Sequence, residues 1–465
     1  MNRKFIDLIS QTYDFPQAPF EVNNGELFFH DIDLKKLIHR FGSPLKLTYL
    51  PIIGEQIEKS RELFRSAMDK CGYKQPYQAS YCTKSAHFSH VLEEALAHDS
   101  HLELSSAFDT DIILKLHKKG QIALDTYIIC NGYKTSEYFA GIQRMMRVGF
   151  TNVIPVLDCM TELKVYETFD ADQVNIGIRM ATEEESQFDF YTSRFGIRKA
   201  GLLDFYRYRI HGHPKIKLKM LHFFVYTGIQ DSAYYWNELH KNVKTYIEIK
   251  QLCPSLEALN LGGGLPIQNS LEFEFDYQYM IDEIVNIIKN YCTEMNVAEP
   301  TLFSEFGSFI VGESGACVFK VMGTKRQNDR ETWYIVDNTL ISTLPDMWSK
   351  KQNFIMLPIN KWNNEYQKAI IGGLTCDNDD FYSFSSEGMD SFLPTVTNED
   401  VEPLYIGFFH TGAYQETLSG FGGVHHCLIP SPKHILIDKN EDGEFVYEVF
   451  AQEQKAKNVL NLLGY

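Results

Sequence analysis

No stretch of this 465-residue sequence holds the run of roughly 18 apolar residues that a membrane-crossing helix requires. Short-period repeats and low-complexity tracts are missing too, which removes solenoids and disordered arrays from consideration. Positive charge is in deficit, with 44 Lys and Arg against 61 Asp and Glu and a net charge of −17. Nucleic-acid phosphates need a basic face, so nucleic acid is not an expected partner, whereas a cationic small substrate is compatible. The nine cysteines include no CxxC pair and no zinc-like spacing, so no metal site is expected. Their odd number and scatter suit reduced thiols in a cytosol better than a disulfide framework. The opening residues MNRKFIDLISQTYDFP carry Asp7 and no long apolar run, unlike a secretory signal. The expectation is a soluble, cytoplasmic protein with no membrane partner.

What is present fits a folded chain: 44% hydrophobic and 23% charged residues, over a length that favours two domains. Strand-like runs lie at YQASYC (77–82), HLEL (101–104), TYIIC (126–130) and NVIPVL (152–157). They continue at NIGIRM (175–180), LKMLHFFV (218–225), LEALNL (256–261) and TLFSE (301–305). Helical spacing fills the intervals; just before the first run, Ile53, Ile57, Phe64 and Met68 share one face. Strands alternating with helices eight times over predict a (β/α)8 barrel, with a doubly wound sheet as the other architecture of that pattern. After residue 306 the texture turns to strands and turns, with a hairpin signal in NEDGE. The domain expectation is therefore a barrel over 46–305 and a mostly β domain over 306–465. Residues 1–45 would pack with the β domain.

Barrel chemistry collects at the C-terminal ends of the strands. Those ends carry Lys84, Glu103, Asn131, Asp158, Arg179, His222 with Phe224, Gly262-Gly263-Gly264 and Glu305. A lysine in SYCTKSAHF is either a solvated loop residue or a partly desolvated amine available for imine formation. Three glycines after a strand make a flexible turn, or a loop whose amides cradle a phosphate. Glu305 reads as a rim carboxylate or as the partner of a protonated ring nitrogen. Phe224 reads as core or as an aromatic cover for a planar cofactor. Together the amine, phosphate cradle and ring partner are what pyridoxal 5'-phosphate needs; singly they specify nothing.

With these residues in view the sequence resembles the fold type III, alanine-racemase-like pyridoxal-phosphate decarboxylases. Within that group it is most similar to biosynthetic arginine decarboxylases, from FGSPLKLTYLP to GAYQET. The family's tyrosine-x-x-lysine matches Tyr81-Cys82-Thr83-Lys84, which implies that Lys84 carries the cofactor. The glycine triplet matches Gly262–Gly264, and Glu305-Phe306-Gly307 matches glutamate-x-glycine. GGLTCDNDD supplies the cysteine-aspartate segment, Cys376 and Asp377. Gly412-Ala413-Tyr414 matches the phosphate-binding tyrosine motif. ICNGYK, TLPDMW and TCDNDD are similar to the arginine branch in particular.

The resemblance implies decarboxylation of L-arginine to agmatine and carbon dioxide, as in polyamine biosynthesis, in a homodimer with shared active sites. Lys84 and Cys376 would be catalytic, Cys376 as the acid that protonates Cα. Lys84, Glu103, Phe224, Thr227, Gly262, Gly263, Gly264, Glu305, Gly307 and Tyr414 would hold the cofactor. Asp377, Asp379 and Asp346 would accept the guanidinium, since paired carboxylates suit its planar donors. Two departures stand out. Phe224-Val225-Tyr226-Thr227 replaces a histidine-x-glycine-serine motif, and Ser308 replaces a phosphate-pairing arginine. They leave room for a catalytically inactive binding homologue. The same chemistry on ornithine, lysine, meso-diaminopimelate or carboxynorspermidine is the closer alternative. An amino-acid racemase fits less well with the long β-rich tail.

Overall fold

The structure, a computed structural model, describes residues 15–182, 193–329, 331–382, 391–397 and 400–465. Residues 1–14 of the expected N-terminal segment lie outside the described residues. Two compact units divide the chain: Met1–Ile52 with Ile267–Glu274 and Val311–Tyr465, and Ile53–Pro266 with Phe275–Ile310.

The second unit is a closed barrel of eight parallel strands. We number these β1 (Tyr77–Cys82), β2 (His101–Leu104), β3 (Ile128–Cys130), β4 (Val153–Leu157), β5 (Val174–Arg179), β6 (Ile216–His222), β7 (Ala258–Asn260) and β8 (Thr301–Phe306). Every strand-like run of the sequence became one of them. Closure comes from β8 pairing with β1, where Glu305 lies opposite Ser80 and Phe306 opposite Tyr81. That pairing rules out the open doubly wound sheet. Inside, Ile129, Ile154, Val156, Met220, Ala258 and Phe303 form a buried cluster, so the barrel is a packed core with its chemistry confined to the strand ends. The helix Pro51–Cys71 buries Ile53, Ile57, Phe64 and Met68, the face its spacing predicted.

The first unit is built on a mixed sheet. Strand Gly315–Arg326 pairs antiparallel with Thr332–Val336, with Tyr405–Phe409 and with Leu45–Tyr49. Leu45–Tyr49 also runs parallel to Lys433–Lys439, which forms a hairpin with Phe445–Ala451. In that turn Asn440 Oδ1 accepts from the amides of Asp442 and Glu444, and Gly443 takes φ +79°, as NEDGE requires. Phe319, Tyr334, Ile406 and Phe408 centre its core.

Three segments fall on the other side of the expected division, with 306–310 joining the barrel unit. Residues 46–52 and 267–274 belong to the β unit although the alternation assigned them to the barrel. The reason for residues 46–52 is pairing: LKLTY is buried at all five positions between strands about 270 and 388 residues further along the chain, partners that no local pattern announces.

Candidate active site at the barrel rim

Lys84 stands in the short turn Thr83–Ser85 that ends β1. The turn closes because the buried Tyr81 hydroxyl donates to the carbonyl of Ala86 at 2.9 Å, while Ser85 Oγ donates to Tyr81 at 3.0 Å. This gives the tyrosine-x-x-lysine spacing a physical reason. Lys84 Nζ donates to Glu103 Oε2 at 3.1 Å and to Cys82 Sγ at 2.9 Å. Its side chain keeps 44% exposure, whereas Glu103 on β2 has none. Glu103 Oε1 is buried without a hydrogen-bond partner, an acceptor left over inside the rim. Burial, and then the charge of Glu103, hold the Cys82 thiol well above its ordinary range, so this cysteine stays protonated.

Glu305, near the end of β8, is the best-supported group of the site. Asn131 Nδ2 donates to both of its oxygens at 2.9 Å, and Asn260 Nδ2 donates to Oε1 at 2.6 Å. Burial, and then repulsion from Glu103, push its pKa up to about 7, against the opposing pull of Lys84 and the two amides. His222 Nε2, from the end of β6, lies 3.8 Å from Glu305 Oε2. Burial, and then the charge of Arg179, keep that imidazole neutral by lowering its pKa well below the ordinary value. The carboxylate is thus desolvated and aimed, with the nearby Lys84 amine as the cation whose charge opposes its raised pKa: a poised partner for a positively charged ring.

The glycine triplet follows β7 directly. A Cβ on Gly263 would sit 2.2 Å from the carbonyl oxygen of Glu305, and one on Gly262 would sit 2.5 Å from that of Phe223. Gly264 has φ +98° and would press a Cβ to 2.6 Å from Gly228 Cα. The loop therefore runs backbone against backbone, held by the Gly262 amide donating to Asn260 Oδ1 and the Glu305 amide donating to Gly262. Thr227, next to Gly228, carries a buried hydroxyl oxygen without a partner. Phe224 lies alongside Gly262, its ring 5.8 Å from the Arg179 guanidinium. Gly307 meets the turn of Lys84, for a Cβ there would lie 3.0 Å from Ser85 Cβ. An amine, a buried ring-partner carboxylate, a side-chain-free loop and an unsatisfied hydroxyl fit pyridoxal phosphate in size and donor chemistry.

The remaining candidates lie in the β unit, where three distant segments converge. Asp346 is buried: Gln415 Nε2 donates to its Oδ2 at 3.0 Å, and Lys350 lies 3.1 Å from Oδ1. Its oxygens are thus already engaged. Gln415 follows Tyr414, which has φ +65° and holds its ring 4.8 Å from the Lys350 ammonium. Cys376 and Asp377 are exposed, and Asp377 Oδ1 accepts from the Asp379 amide at 2.9 Å.

Sequence reasoning passed over two residues of consequence. Asn260 was read only as part of a strand, although a single amide in LEALNL directly before three glycines was a usable signal. Asp380 carries the whole cysteine-aspartate segment. It is buried and accepts from Thr375 Oγ1 at 2.7 Å, the Leu340 amide at 2.7 Å and the Ile341 amide at 3.2 Å.

Residues 55–312 match the family model of the pyridoxal-dependent decarboxylase, pyridoxal binding domain. A biosynthetic arginine decarboxylase of Bacteroides thetaiotaomicron is 22% identical, over 93% of this chain and 86% of its own length. The crystal structure of the biosynthetic arginine decarboxylase of Campylobacter jejuni superposes with a TM-score of 0.80 at 21% identity, covering 96% of this chain and 89% of that one. A diaminopimelate decarboxylase of M. jannaschii in complex with L-lysine superposes with a TM-score of 0.75 at 16% identity, covering 95% and 96%.

Proposed function

The chain belongs to the pyridoxal-dependent decarboxylase family, and from that premise we propose that it decarboxylates L-arginine to agmatine and carbon dioxide. The observation that carries the reading is the buried Glu305, held by Asn131 and Asn260 beside the Lys84–Glu103 pair at one rim of the barrel. Pyridoxal phosphate, when bound, supplies an aldehyde for an amine and an electron sink for the charge left as the carboxylate departs.

This chain's own residues do the rest. Lys84 would offer the amine that holds the cofactor. Glu305 would keep a proton at the ring nitrogen, and its desolvated pocket would strengthen that pairing. The amides of Gly263 and Gly264 and the Thr227 hydroxyl would hold the phosphate, Gly262 keeps their loop in place through its bond to Asn260, and Gly307 lets the Lys84 turn pack close; Tyr414 is a further phosphate ligand by the family resemblance alone. Phe224 would cover the ring face. Glu103 orients Lys84 through its 3.1 Å contact. Cys376 would deliver the proton to Cα. Asp377 and Asp379, exposed and acidic, are the acceptors for a guanidinium. Asp346 would act through Gln415, positioning Tyr414.

An exposed Cys376 segment is what a shared active site in a homodimer would require, with each chain completing its partner's rim. Nine free cysteines support a reducing, cytoplasmic setting. Polyamine synthesis is the pathway such a product would serve. The alternative is the same reaction on lysine, ornithine, meso-diaminopimelate or carboxynorspermidine, supported by the likeness to a diaminopimelate decarboxylase. Measuring carbon dioxide release from each amino acid decides between them. Turnover of arginine is expected, and turnover of another with none of arginine would overturn the assignment.

A further inference from the structure

The β unit brings together a group that sequence spacing hides. Cys376 and Cys427 are separated by 51 residues, yet their Sγ atoms stand 3.5 Å apart. His426 joins them: one ligand atom from each of the three residues falls within 4.8 Å of the others, and all three residues are exposed. Two thiols at tetrahedral positions about a zinc ion would have sulfurs ~3.8 Å apart, given zinc–sulfur bonds of about 2.3 Å. The observed separation needs only a small adjustment.

An acidic neighbour borders the group. His426 Nε2 lies 3.7 Å from Asp377 Oδ2, the oxygen left over once Oδ1 has accepted the Asp379 amide. Both sides of the group are shaped by the backbone. Asp380 clamps Thr375 just ahead of Cys376, and Cys427 occupies the left-handed region at φ +54° and ψ +18°. Two thiolates and an imidazole select a borderline-soft divalent ion over magnesium or calcium, which prefer all-oxygen shells.

We propose that Cys376, Cys427 and His426 bind a thiophilic divalent cation of the zinc type. Binding displaces the two thiol protons to solvent and leaves both sulfurs coordinated as thiolates. Its consequence rests on the reading of Cys376 as proton donor: an occupied site withdraws that thiol, so the ion inhibits decarboxylation reversibly.

The test is an anaerobic titration of the holoenzyme with cobalt(II), read as a difference spectrum against the metal-free holoenzyme. Thiolate-to-cobalt charge transfer and tetrahedral d–d bands are expected at one equivalent, abolished in Cys427→Ser and weakened in His426→Asn. Both variants should keep basal activity, while zinc at a concentration that inhibits the parent enzyme tenfold leaves Cys427→Ser active. Absence of thiolate bands in the parent chain, or the same spectrum in Cys427→Ser, would overturn the site. The spectrum does not depend on turnover. Bands in a protein inactive toward every amino acid would therefore refute the decarboxylase reading alone, and arginine turnover without bands would refute the metal site alone.

Discussion

Glu305→Gln should make the cofactor-free protein more stable at alkaline pH while spoiling its hold on the cofactor. The burial of Glu305 raises its pKa from an ordinary 4.5 to about 7. Its folded pKa lies above its unfolded one, so its contribution to stability is complete below pH 4.5 and is lost as pH rises through 7. Two and a half units at 1.36 kcal/mol each put the cost of a charged Glu305 at about 3 kcal/mol by pH 8. Glutamine carries no charge and occupies the same volume. Its new amide would face the Asn131 Nδ2 donor, but Asn131 Oδ1 is buried without a partner and can accept once that side chain flips. Denaturant unfolding of the cofactor-free proteins should therefore favour the variant by 2 to 3 kcal/mol (about) at pH 8, a gap closing toward pH 5. Saturating pyridoxal phosphate should stabilise the parent more than the variant, since the ring's charge offsets the penalty only when a carboxylate is there to meet it. A variant no more stable at pH 8, or a gap independent of pH, would refute the account of Glu305 as a desolvated anion awaiting a cation.

Other consequences follow from the same geometry. Gly263→Ala forces a Cβ to 2.2 Å from the Glu305 carbonyl, so cofactor affinity measured by absorbance should fall at least tenfold, whereas Gly323→Ala, with nothing within 4 Å, should leave it unchanged. Asp380→Ala frees the Thr375 and Leu340 donors together, and should speed proteolysis and amide exchange across 373–380 and lower kcat while cofactor content stays at the parent level. Asp377→Asn with Asp379→Asn should raise the KM for arginine by an order of magnitude or more, because hydrogen bonds to a charged partner contribute about 1.5–3 kcal/mol each. An unchanged KM would remove both from the substrate site.

The barrel was legible because each strand is an apolar run bounded by turns and followed by an amphipathic helix, so local pattern and fold agree. The strand at 45–49 was not, since only its long-range partners at 315–318 and 433–437 identify its sheet. The rim followed from strand ends: Lys84, Glu103 and Glu305 lie together where the alternation put them. Its supports were harder to see. Nothing local separates Asp380 from Asp379 within DNDD, yet one is the buried anchor of the segment and the other exposed. Cys427 meets Cys376 only through the folding of the β unit.

The account depends most directly on the amine of Lys84. Reduction of the cofactor-loaded protein with borohydride, followed by digestion and mass spectrometry, should find one phosphopyridoxyl group, on the peptide containing SYCTKSAHF, and none on Lys84→Ala. An adduct on another lysine, or an unmodified Lys84 in protein that decarboxylates arginine, would contradict it.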